Sequence, residues 1–411
     1  MQSAAQQSSN KHSSGAHGIT HQSAPLSWDK GLPLGNGFLG AMFWGDGNPL
    51  KLTLDCTELW DERTNTENLK HPDYTYANLC RLISEKRFEE AEEIFGNRFR
   101  DPKVLTPTKI SIGRAEVSLG QAIRYTARLD LESASIRGAL TTKSGRHQFL
   151  CFAARERNLI CLRIAKISAE AVLRLIPMAE ACPAMAGLHH PAPIRQTRAG
   201  VEIMTQAIPE GPSYAVVWNQ HGPDIFIAVE LADTAEKAAD KAFSTFAAAR
   251  QDGIDRLFRR HAGKWKQFWS MSAVFLPEAE LEFFWYYGIY LLASAARRGC
   301  LPPGLNGVWS VDDGERLAFG GEYANNVNVQ ETFWPACASG HLELMDTWCD
   351  YMHAGLPSRR AYTRRFFGTD GTFWPGALFG RHKFSISVSN WYALYFGWSH
   401  SGWLGWMAWL R

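Results

Sequence analysis

The stretch "NNVNVQETFWPA", residues 325–336, places Asn326, Asn328 and Gln330 two positions apart beside Phe333 and Trp334. In an extended segment side chains alternate with a period of two, so these three amides are expected on one face. Each amide offers a donor and an acceptor, which suits sugar hydroxyls. The aromatic neighbours offer flat apolar faces to a pyranose ring. The same residues would equally serve a structural asparagine ladder or turn network, and residue types alone leave both readings standing. Amide oxygens accept hydrogen bonds from water but do not take its proton at neutral pH, so hydrolysis here needs a carboxyl group as well. Glu331 is adjacent, but a strand would turn it away from Asn326 and Asn328. It is a candidate catalytic acid or substrate contact, with a structural arginine partner as the alternative. Trp309 and Trp374 are candidates for lining a pocket, with a place in the core as the alternative for each. Asp312 and Asp313, in "WSVDDGERL", are expected in a solvated turn.

The elements that must position these residues fall into two regions. From about 110 to 230, short apolar or alternating runs such as "YTARLDLE", "HQFLCFAA", "YAVVW" and "DIFIAVEL" are separated by turn residues. Many short strands at that spacing predict a β-sandwich. Upstream, "WDKGLPLGNGFLGAMFWGDGNP" mixes glycines with large apolar residues and predicts strands joined by tight turns. It contains a G-x-G-x-x-G match, but no strand-then-helix context follows, so a dinucleotide loop is not indicated. Residues 76–97 switch to a helical period and predict two amphipathic helices capping a sheet. Thr234 opens a helical stretch, and "LEFFWYYGIYLLASAARR", residues 281–298, is apolar nearly all round and predicts a helix buried on most sides. Ten of the sixteen tryptophans fall between Trp285 and Trp409, which makes the second half the place to look for a ligand that stacks on rings.

Composition bounds the rest. At 411 residues the chain exceeds what one core usually serves. The net charge of +2 gives no electrostatic reason to expect nucleic acid or an anionic membrane as partner. No apolar run approaches the ~20 residues of a membrane helix. The eight cysteines are scattered without a CxxC pair, which predicts buried free thiols. His12, His17 and His21 lie far from other ligands, and His189–His190 lacks a third, so neither a metal nor a cofactor is expected. The polar start reads as a disordered tail over 1–26, without the apolar core of an export signal. The "SGWLGWMAWLR" segment would expose several tryptophans, which predicts either a docking face for a partner or a fragment of a longer design.

Two of these stretches carry a resemblance. "LPLGNGFLGAMFWGD" with "LTLDCTELWDER", and "EYANNVNVQETFWPA" further on, resemble the family 95 glycoside hydrolases, the inverting α-L-fucosidases and their α-L-galactosidase relatives. The nearest branch is one with an N-terminal domain of unknown function. "RLISEKRFEEAEEI", "YTARLDLESASIRGAL", "HAGKWKQFW" and "PPGLNGVWS" agree in order, so the resemblance runs from about Trp28 onward. It implies a multidomain β + α chain: an N-terminal β-sandwich over 27–233, a helical linker over 234–280, and part of an (α/α)6 toroid over 281–411. It also implies that Asn326 and Asn328 hold and polarise the attacking water, and that the substrate is an oligosaccharide or glycoside. Gln330, Glu331, Trp309, Trp334 and Trp374 are then expected at the substrate. The sequence departs from the family pattern at Glu322, where an aspartate is usual, and at Glu331 and Thr332. The family's general-acid glutamate and its late carboxylate would lie beyond position 411, so the chain is expected to be a fragment, missing a C-terminal half, with little or no hydrolysis. A non-catalytic carbohydrate-binding protein is the competing expectation. Members of the family are usually exported.

Overall fold

The computed structural model describes residues 17–63, 71–95, 107–167, 173–310, 312, 318–381 and 398–411. Two antiparallel sheets form the first half. The larger runs β1 (Gly18–His21), β6 (Arg124–Asp130), β7 (Ser135–Thr142), β8 (Gly145–Ala153), β9 (Leu159–Ile164), β14 (Asp224–Ala232), β13 (Ser213–His221), β12 (Val201–Ala207) and β11 (Ile194–Arg198). The smaller runs β10 (Leu173–Pro177), β5 (Thr108–Val117), β4 (Leu50–Asp61), β3 (Leu39–Trp44) and β2 (Leu32–Gly35). Their inner faces share one core, with Leu52, Leu54, Ile110 and Ile112 from the smaller sheet and Leu129, Ile136, Leu162, Val216 and Ile227 from the larger. The sandwich expected from the strand spacing is present. Within the tail expected over 1–26, Gly18–His21 is instead a strand paired with β6 in register Gly18↔Asp130; residues 1–16 lie outside the described residues.

Helices α1 (Tyr76–Ser84) and α2 (Phe88–Phe95) form where the period switches. Helices α3 (Ala235–Asp252) and α4 (Ile254–Trp269) follow the last strand. These two cover the outer face of the larger sheet: Phe152, Ile203, Val217 and Phe226 pack under Ala238, Ala242, Phe246 and Leu257. That explains why "YAVVW" and "DIFIAVEL" read as continuous apolar runs, since both faces of those strands are buried. The stretch expected as a linker is therefore a packed layer over the sheet.

The second half begins with α5 (Ala279–Ala295) and continues with α6 (Asn328–Ala338), α7 (Asp346–Phe367) and α8 (Trp398–Leu410). Helix α5 is buried nearly all round from Ile289 to Ala295, as expected, and exposes Leu281 and Phe284 only in its first half. Helices α1 and α2 do not cap a sheet. Their Leu82 and Phe95 join Tyr74 in a cluster with Phe366 of α7.

The glycine-rich stretch near the start is the socket that receives the second half. A Cβ on Gly35 would lie 2.3 Å from the Ser294 carbonyl oxygen, and one on Gly40 would lie 2.1 Å from that of Val308. Side chains are excluded at both positions because backbone from the helical half comes that close. Tyr290 adds a hydrogen bond from its hydroxyl to the Pro33 carbonyl at 2.7 Å. Buried polar groups complete the joint. Asp55, beside the register shifts between β4 and β5, accepts from Lys109 and from the backbone N–H and hydroxyl of Ser310. Asp312 accepts from Thr53 at 2.5 Å and from Arg114 at 2.7 Å. The solvated turn expected at Asp312 is thus a buried ion pair; Asp313 lies outside the described residues.

Candidate functional site

The asparagine segment is not a strand. Tyr323–Ala324 forms β15, which pairs with β16 (Ala377–Leu378), the chain turns through 325–327, and α6 begins at Asn328. The three amides therefore do not share a face, which corrects the period-two expectation. Helical packing won over the local pattern: Val329 and Phe333 are buried four residues apart, and Phe333 lies against Trp348 of α7 at 6.2 Å between ring centroids.

This geometry sorts the amides into two kinds. Asn325 is fully buried and structural, donating its backbone N–H to the Gly376 carbonyl (2.7 Å) and its Nδ2 to the Pro375 carbonyl (2.8 Å). Gln330 is also buried and donates its Nε2 to the Asn325 carbonyl at 2.5 Å, bracing the turn from inside. Asn326 is half-buried and Asn328 exposed, and neither side-chain amide has a hydrogen-bond partner among the described residues. The turn network and the free amides both exist, on different residues.

A cavity of about 200 Å³ lies beside Asn328, walled by Pro303, Gly304, Leu305, Glu322, Asn328, Glu331 and neighbouring residues. Asn328, Glu331 and Thr332 reach it together because positions three and four apart share a helix face. Glu331, expected to turn away, is thus on the same side as Asn328. The opposite wall depends on Gly304, whose Cβ would sit 2.3 Å from the Gly321 carbonyl oxygen. Only a glycine lets residues 303–305 close against 321–322. At ~30 Å³ per water the space holds about six waters, or one sugar ring.

Glu322 is the residue that sequence reasoning passed over. It stood out only as a replacement for aspartate, whereas its setting is tertiary. It precedes Tyr323, whose buried ring packs on Trp60, Trp348 and Tyr351. Burial pushes the Glu322 carboxyl up from 4.5 to about 7, since a charge is costly away from water.

The other expected contacts lie elsewhere. Asn326 and Gln330 do not line the cavity. Trp309 is half-buried and donates its indole N–H to the Leu34 carbonyl at 2.9 Å, as part of the joint between the halves. Trp374 is in the core. Trp334 is 45% exposed and packs on Trp403 and Trp406 of α8 at 5.9 and 5.1 Å. His190 donates to Asp61 at 2.8 Å rather than to a metal. Among the described residues no group of three or more His, Cys, Asp or Glu could hold a metal ion, and no helix is long and apolar enough to cross a membrane. All eight cysteines are free.

Residues 18–184 match the glycosyl hydrolase family 65 N-terminal domain, and residues 277–402, which contain the cavity, match the glycosyl hydrolase family 95 catalytic domain. The chain is 39% identical over 77 residues to "Probable alpha-fucosidase A" of Aspergillus oryzae, covering 19% of this chain and 10% of that protein. It is 36% identical over 84 residues to the Aspergillus niger protein of the same name, again 10% of its length and 20% of this chain. Among solved structures, "Putative kojibiose phosphorylase from human microbiome" superimposes with a TM-score of 0.57 at 10% identity, over 87% of this chain and 48% of that one. This last likeness shows the fold: a sandwich followed by helices of the (α/α)6 type. The chain spans about half of that protein, and the matched segment spans a tenth of each curated relative.

Proposed function

We propose, taking as premise that this chain is a family 95-like glycoside hydrolase relative with a family 65-type N-terminal domain, that it acts on α-L-fucosides or α-L-galactosides with inversion. The observation that carries this reading is the cavity whose lining includes Asn328 together with Glu322 and Glu331. Inverting hydrolysis needs a water on the face opposite the leaving group. Asn328 would accept hydrogen bonds from that water and fix its direction of attack; Asn326, which does not line the cavity, would have to reach the water from the turn outside it. The structural amides Asn325 and Gln330 would keep the two free ones in place.

Incubation with nitrophenyl α-L-fucoside and α-L-galactoside tests the reading. Weak turnover, abolished by Asn328→Ala, is the expected result. Calorimetric binding of the sugars without turnover would instead favour a carbohydrate-binding protein. Absence of both binding and turnover would refute the site.

A further inference from the structure

The cavity beside Asn328 is not held in shape by the helical half alone. The end of β4, in the stretch "TELWDE", meets its walls through Glu58, Trp60 and Glu62. One wall, residues 303–305, follows directly on Leu301, whose backbone N–H donates to Glu58 Oε1 at 2.5 Å. The facing wall, residues 322–324, contains Tyr323, whose ring packs on Trp60 at 5.4 Å between centroids. That wall pairs with β16, and Arg381, three residues after β16, is held twice from β4. Its Nη2 donates to Glu58 Oε2 at 2.9 Å and its backbone N–H to Glu62 Oε1 at 2.6 Å. Trp60 and Glu62 are buried, and the Glu58 side chain is 14% exposed. The Glu58 carboxylate therefore spends one oxygen on each side of the cavity without lining it.

We infer that Glu58 is a positioning residue for the sugar site: from the sandwich, it fixes the 303–305 wall against the 322–324 wall and so sets the width of the cavity. The sugar as ligand rests on the glycosidase reading above; the contacts do not. A hydrogen bond from a backbone N–H to a carboxylate is about twice as strong as one between neutral groups, so the Leu301 contact is the stronger of the two restraints. The ion pair with half-exposed Arg381 contributes less. A space that takes a single sugar ring tolerates little drift of its walls, since misplacing a positioning group by about 1 Å costs up to ~100-fold in rate. The site is then a property of both halves of the chain.

Hydrogen-exchange mass spectrometry, read beside calorimetric titration with L-fucose, tests this on the full chain. Glu58→Ala should speed exchange in peptides spanning 299–306 about tenfold or more and weaken L-fucose binding by a similar factor. Helix α3, remote from these contacts, should stay as protected as in wild type. Glu58→Gln keeps an oxygen acceptor for the Leu301 N–H and drops only the ion pair. Protection of 299–306 should then return, with affinity within about fivefold of wild type. Should Glu58→Ala fail to fold, Glu58→Asp, one methylene short of Leu301, gives the same readouts. Unchanged exchange at 299–306, equal acceleration across α3, or full fucose affinity in Glu58→Ala overturns the assignment. Wild type that binds no L-fucose removes the glycosidase reading, and loss of protection at 299–306 in Glu58→Ala would still support Glu58 as the residue that holds the wall.

Discussion

At the scale of single residues, four side-chain amides within six positions have two different duties. Asn325 and Gln330 are buried and bonded to backbone, whereas the side chains of half-buried Asn326 and exposed Asn328 have no hydrogen-bond partner among the described residues. Truncating a buried amide leaves its backbone partner unsatisfied, at about 1–3 kcal/mol. Asn325→Ala and Gln330→Ala should therefore each lower the urea midpoint by that order. Asn328→Ala should leave stability within ~0.5 kcal/mol while removing sugar binding. A stability loss at Asn328 equal to that at Gln330 would contradict the division. Glu322 carries a second expectation. Its folded pKa, about 7, lies above the ordinary 4.5, so the folded state holds the proton more tightly. Stability is then fully present below 4.5 and falls as pH rises through about 7. Thermal melts at pH 5 and pH 8 should show this slope, and Glu322→Gln should flatten it. The amide types were legible in the sequence. The division between them was not, because burial is decided by residues 375–376, fifty positions away.

Among the elements, the strands were readable and α6 was not. Its segment contains β-branched Val329 and Thr332, an internal Pro335, and no side-chain cap at its start, all poor local helix signals. Packing of Val329 and Phe333 into the core overrides them. The amphipathic period of α1 and α2 announced helices correctly, but nothing in that period says that the buried stripe meets Phe366 of α7. The close contact of Gly304 with the 321–322 backbone yields a test at this scale. Gly304→Ala places a methyl against the Gly321 carbonyl, and overpacking of this kind costs ~1–3 kcal/mol. The variant should melt lower and bind fucoside more weakly, with both read in one calorimetric series. Helix α4 has its own pH signature. Burial pulls His261 down from 6.5 to about 4, outweighing its hydrogen bonds to backbone carbonyls. The helix then contributes stability that is complete above 6.5 and lost as pH falls through about 4, and His261→Phe should reduce that acid sensitivity.

Across the whole molecule, the sandwich and the helical half meet through a polar joint. The Lys109 ammonium is buried against Asp55, which also fixes Ser310. Removing one partner leaves a buried charge, at ~3–5 kcal/mol, so Asp55→Ala should unfold at markedly lower urea and lose the site with it. Retention of wild-type stability would show that the joint does not hold the halves together. The opening glycines and "TLDCTELWDER" were legible as a signature, but their physical reason, close approach of backbone from residues 294 and 308, belongs to the assembled molecule. The most direct test of the central claim is a proton NMR time course of nitrophenyl α-L-fucoside with wild-type protein and with Asn328→Ala. The account predicts β-L-fucose as the first product from wild type and none from the variant. α-L-Fucose appearing first, or equal turnover by both proteins, would contradict it.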